Sequence, residues 1–135
     1  MVLASMIRYG DRLLAGMESV GISNFVTFLE NTQPYRQDLR RAEYGDERDP
    51  EMRKFLLAIS PTTQAHRITK PMLIAQGLND PRVPVTESEQ IRDAIRANGN
   101  RVSYIVADNE GHGFRKKCNK NFLQRSMAVF LSDVL

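Results

Sequence analysis

The chain has 135 residues, 41% of them apolar and 26% charged, with a net charge of +3. That length suits one domain with one core, and no apolar run approaches the roughly 18 residues that cross a bilayer, which leads us to expect a soluble protein with no membrane partner. Nucleic acid is excluded as a partner by the way the charge is spread. From Arg36 to Lys54 cations and acids interleave, and the basic run Arg115-Lys116-Lys117 with Lys120 has no aromatics between its charges for bases to stack on.

The chain opens on Val2, Leu3, Met6 and Ile7 at helical spacing, with Gly10 placed to cap the helix. An apolar helix starting at residue 1 without a cap leads us to expect further chain upstream. Leu13 to Val20 reads as a short strand, and Phe25, Phe28 and Leu29 as a short helix. The polar stretch to about Gly45 reads as an excursion from the core. Asp49-Pro50-Glu51 is an N-cap, a first-turn proline and a first-turn acid, and Met52, Phe55, Leu56 and Ile59 follow as an apolar helix face. That helix stops before Ser60-Pro61.

Pro71 opens a strand over Met72–Ala75. Thr86 and Glu89 form a capping box for a helix carrying Ile91, Ala94 and Ile95, closed by Asn98-Gly99. A strand over 102–106 follows, and Leu123, Met127, Phe130 and Val134 make the apolar stripe of a C-terminal helix. Parallel strands alternating with helices imply an α/β fold with helices on both faces of the sheet.

The chemistry lies in the segments after the last two strands, Gly77-Leu78-Asn79-Asp80-Pro81-Arg82-Val83-Pro84 and Glu110-Gly111-His112-Gly113-Phe114. In an open α/β sheet these loops fall at the carboxyl ends of the strands, where ligands bind. An acid followed by a histidine is the later half of the Ser, Asp, His order of α/β-hydrolases, whose serine sits in a G-x-S-x-G turn. The histidine takes a proton from the serine while the carboxylate fixes its tautomer. Glycines on both sides of His112 allow a tight turn that presents the ring.

Residues Gly77–Pro84 and Glu110–Phe114, with Asn119 after them, resemble the catalytic domain of the prolyl oligopeptidase family of serine peptidases, particularly acylaminoacyl-peptidase and dipeptidyl-peptidase-like members. Gly21–Phe25, Tyr44-Gly45-Asp46 and Ser60-Pro61 extend the resemblance, so residues 1–135 read as the C-terminal portion of an α/β-hydrolase peptidase domain. The resemblance implies a peptide substrate, cleavage by acyl transfer, and no cofactor, with Asp80 as the triad acid and His112 as the base. Arg82 is expected to brace its loop.

No G-x-S-x-G occurs in the chain. By the family pattern the serine, the backbone N–H after it and the earlier strands belong just upstream of Met1, so the chain alone is expected to be inactive. Its expected partner is the missing N-terminal part of the domain, or a second copy of itself. Ser23 has a glycine two positions before it but Phe25 two positions after, where the elbow needs glycine, so it reads as an N-cap or strand-end turn. Ser5 lies in a helix. His66 sits in a polar connector with no ligand-spaced neighbour, which supports no metal site. Cys118 as the sole cysteine excludes an internal disulfide and suits a reducing, cytoplasmic compartment. Two other functions fit the same residues: an esterase of this fold, and a non-catalytic remnant or partner-binding module.

Overall fold

A computed structural model describes residues 1–135. Three parallel strands, β1 (Gly16–Ser19), β2 (Met72–Gly77) and β3 (Val102–Ala107), form one sheet in the order β1-β2-β3. Six helices accompany them: α1 (Val2–Tyr9), α2 (Phe25–Asn31), α3 (Pro34–Tyr44), α4 (Pro50–Ile59), α5 (Val85–Ala97) and α6 (Lys117–Val134). Short 3-10 segments cover Gly10–Arg12 and Pro61–Arg67.

Central β2 is buried along its whole length, as a parallel strand covered on both faces must be. Its alternate residues divide the core. Met72 and Ile74 pack with Leu3, Met6 and Ile7 of α1 and Ile91 and Ile95 of α5. Leu73 and Ala75 face Phe130 of α6, flanked by the half-buried Leu123, Met127 and Val134, so the C-terminal stripe covers the second face as expected. A third cluster, Val26, Phe28, Leu29, Leu56 and Val83, joins α2 and α4 to the loop after β2. It supports the site described below.

Three local expectations are corrected, and the polar stretch before Gly45 lies outside the core as expected. The first strand covers only Gly16–Ser19, because Gly10–Arg12 continues α1 as a 3-10 turn and Gly10 is right-handed (φ −52°) rather than a left-handed cap. The stretch before Gly45 is helical: Pro34 starts α3, which buries none of its residues and so stays outside the core. The Thr86–Glu89 capping box does not form, since α5 begins at Val85 with Pro84 in the cap position and no side chain capping it. The cap ascribed to Ser23 belongs to Asn24, whose side chain accepts from the N–H groups of Val26 and Thr27.

Other caps form as the residue types require. Asp49 accepts from Met52 N–H at 2.8 Å, an interaction worth about 1 kcal/mol. At the end of α5, Gly99 N–H donates to Arg96 and Asn100 N–H to Ile95, the paired bonds of a Schellman closure.

Candidate active site

Asp80 lies three residues beyond the end of β2, and its carboxylate is fully buried. Its Oδ1 accepts from the N–H groups of Arg82 (2.8 Å) and Val83 (3.1 Å), closing a turn whose φ Pro81 presets. Its Oδ2 points the other way. That oxygen lies 2.8 Å from His112 Nδ1 and 3.3 Å from the amide nitrogen of Gln76, which also donates to Val83 O at 3.0 Å. With a proton on Nδ1 the imidazole donates to this carboxylate, leaving Nε2 free to accept one.

The loop holding His112 is fastened to the loop holding Asp80. Asn79 N–H donates to Glu110 O, Leu78 N–H to Ala107 O, and the Asn79 side chain to Asp108 O. Gly77 permits this approach: a Cβ there would lie 2.1 Å from Gly111 O. Of the two glycines beside His112 only Gly113 has a backbone that needs one, at φ +92°.

Buried Glu110 anchors the far side of the loop, accepting from Arg115 N–H, Lys116 N–H and the Asn119 amide at 2.8–3.1 Å. Burial alone pushes its carboxyl up, but the Asn119 amide and the two N–H donors outweigh that and hold it below the ordinary value. Asn119 thus ties the start of α6 to the histidine loop.

The His112 ring is about one-third exposed (31%) and lines a cleft of about 520 Å³. One wall is apolar, built from Val20, Ile22, Phe25, Phe28 and Val83. Val20 at the end of β1 is the one non-glycine residue with positive φ (+55°), an unfavourable conformation for a β-branched side chain and one that costs about 1–3 kcal/mol. No serine, threonine or cysteine lines the cleft.

Of the other residues singled out in the sequence, none joins Asp80 and His112. Ser23 is fully buried, its hydroxyl donating to Glu87 O at 2.6 Å. Ser5 lies on α1, and His66 and Cys118 are exposed outside the cleft. Arg82 braces its loop through its backbone, with its carbonyl accepting from Thr32 Oγ1 at 2.8 Å, and the residue also lines the cleft.

Sequence reasoning missed Gln76 and Glu87. Gln76 is a polar residue in a strand buried throughout, and Glu87 a carboxylate in the first turn of α5. Glu87 is fully buried with no cation beside it, and accepts from Ser23 N–H, Asn24 N–H and the Ser23 and Thr27 hydroxyls. A glutamate in the first turn of a helix reads as solvated, so only its burial discloses the role.

The architecture and this site define the class: a parallel α/β sheet of the α/β-hydrolase kind, with an acid and a histidine paired beyond adjacent strands. The chain belongs to the prolyl oligopeptidase family, whose sequence model matches residues 1–135. It is 38% identical to dipeptidyl aminopeptidase BIII of Pseudoxanthomonas mexicana over 93% of this chain and 19% of that protein. It is 37% identical to dipeptidyl peptidase family member 6 of Caenorhabditis elegans over 89% of this chain and 17% of that one. The solved structure of a puromycin-hydrolyzing peptidase of Mycobacterium tuberculosis superposes with a TM-score of 0.89 at 28% identity, covering 98% of this chain and 20% of the other. The chain therefore spans about a fifth of the length of these relatives.

Proposed function

We propose that the chain carries the acid and base of a serine-type peptidase, with Asp80 orienting His112 and His112 shuttling the proton. The observation that carries this reading is the 2.8 Å contact between His112 Nδ1 and the fully buried Asp80 carboxylate, at the mouth of a cleft the ring itself lines. The nucleophile is a serine outside these 135 residues. In this mechanism His112 Nε2 takes the proton from the serine hydroxyl as its oxygen attacks the peptide carbonyl. The resulting imidazolium is stabilised by Asp80 and returns the proton to the departing amine. Water then repeats the sequence and releases the acyl group.

Asp80 suits its role by being closed to water and held from behind. Two backbone N–H groups occupy Oδ1, so Oδ2 is directed at the ring without reorganisation. The apolar wall favours substrates with an apolar side chain next to the cleaved bond. By this reading the chain alone is inactive, and its partners are a peptide and the serine-bearing segment.

The test is to express the chain alone and joined to a segment carrying a G-x-S-x-G elbow, then assay matched peptide and ester substrates. Peptide hydrolysis by the joined form only is expected, and Asp80→Asn in that form should lower kcat about 10⁴-fold. Hydrolysis that survives Asp80→Asn would remove Asp80 from the mechanism. Ester cleavage without peptide cleavage would make the protein an esterase.

A further inference from the structure

Beside its apolar residues the same cleft carries an unbalanced charge. Arg36, Arg40 and Tyr44 stand at i, i+4 and i+8 on α3, so one stripe of that helix faces the cleft, and Arg82 reaches it from the loop of Asp80. Three arginines thus line a cleft whose lining contains no aspartate or glutamate. Arg36 and Arg82 have no ion pair, and Arg40 has only Glu43, itself half-exposed. The Nε atoms of both Arg36 and Arg40 are buried without a hydrogen-bond partner.

The other arginines of the same region are treated differently. Arg41, one position along α3, is held by Glu47 and Asp38, Arg48 by Asp46, and Arg53 by Glu30. Each of these guanidiniums outside the cleft has a carboxylate partner, whereas of the three in its lining Arg36 and Arg82 have none and Arg40 has Glu43. Like charges sharing a partly desolvated space repel, and buried N–H donors left unmade cost about 1–3 kcal/mol each, so the arrangement is most stable with an anion between them.

We infer that Arg36, Arg40 and Arg82 form a carboxylate-recognition site that selects peptides with an anionic group near the cleaved bond. The inference rests on reading this cleft as the substrate site. A guanidinium matches a carboxylate with two parallel N–H bonds, and peptides offer that group in two places: an acidic side chain or a free C-terminus. The Asp80–His112 pair takes no part in this recognition, because Asp80 is closed off behind the ring.

The test measures binding to the 135-residue chain, so it does not depend on hydrolysis. Three probes are titrated by calorimetry, with the His112 ring proton followed by NMR: N-acetyl-phenylalanyl-glutamine amide, which is neutral; N-acetyl-phenylalanyl-glutamate amide, acidic in its side chain; and N-acetyl-phenylalanyl-glutamine, acidic at its C-terminus. At least one acidic probe should bind about tenfold tighter than the neutral one, and which of them does so identifies the source of the carboxylate. The preference should shrink as salt shortens the screening length.

Changing Arg36→Gln, Arg40→Gln and Arg82→Gln together should erase the preference, while Arg125→Gln on α6 should keep it. Equal affinity for all three probes, no binding of either acidic probe, or a preference that survives the triple change would overturn the inference. A retained preference in a chain that fails to hydrolyse peptides when joined to a serine elbow would instead overturn only the proposed mechanism.

Discussion

Gly77 shows how much of the site hangs on single residues. In the sequence it is one glycine of an ordinary turn. In the fold its missing side chain is the space occupied by the carbonyl of Gly111, and a methyl group there would meet backbone rather than a yielding side chain. Gly77→Ala should therefore push the two loops apart, costing about 1–3 kcal/mol in a denaturant melt. It should also abolish the downfield Nδ1 proton resonance of His112; an unchanged resonance would show that the loops can adjust. Asp80 and His112 were both legible from residue type and spacing. The part of Gln76 in aiming Asp80 was not, because a polar side chain in a buried strand meets the Asp80 carboxylate and Val83 carbonyl only when the turn after it folds back.

At the scale of elements, the segment between β1 and α2 forms part of the cleft wall and is pinned to α5 by one carboxylate. The Glu87 carboxylate accepts from the N–H groups of Ser23 and Asn24 and from the Thr27 hydroxyl, the Ser23 hydroxyl donates to Glu87 O, and Gln90 donates in turn to the hydroxyls of Ser23 and Thr27. Oε2 takes both N–H groups and Oε1 only the Thr27 hydroxyl, so a glutamine can keep its one oxygen on the amides, whereas an alanine leaves them without an acceptor. Glu87→Ala should cost about 2 kcal/mol or more and speed hydrogen exchange at the amides of Ser23 and Asn24, while Glu87→Gln should leave that exchange slow. Slow exchange retained at both amides in Glu87→Ala would mean that packing of Phe28 and Leu29 alone holds the segment. The helices and strands themselves were legible in outline, since periodicity and proline positions are local. Their ends were not: α5 starts without its capping box, and the first strand is half its expected length.

For the whole molecule, only 30 of 135 residues are buried, and the 18 apolar ones among them fall into three clusters rather than one. Each outer strand, β1 and β3, pairs on one side only, and strands with an open edge recruit further strands. The 135-residue chain should therefore self-associate with rising concentration in sedimentation velocity, and a single concentration-independent monomer peak would contradict this.

Stability should also depend on pH through Glu18 on β1, whose carboxyl burial pushes up from 4.5 to about 7 against the opposing Gly21 N–H and Met1 amino group. A folded-state value above the unfolded one means the folded chain holds the proton more tightly. The contribution of Glu18 to stability is then greatest below pH 4.5, falls as pH rises to about 7, and is flat above. Glu18→Gln should remove that slope and stabilise the chain at pH 8 by up to about 3 kcal/mol. Parallel melting curves for the two proteins between pH 5 and about 8 would rule Glu18 out as the source.

The sequence by itself determined the α/β alternation, the family, and the acid and histidine after the last two strands, because each depends on local spacing and on motifs a few residues long. The tertiary structure decided everything that needs two distant segments in contact. It brought Asp80 and His112 to 2.8 Å, buried Glu87, and set Arg36 and Arg40 of α3 in the lining of the same cleft as Arg82. Such contacts follow from how whole elements pack on the sheet, and packing depends on shape and burial summed over the chain rather than on any one stretch of it.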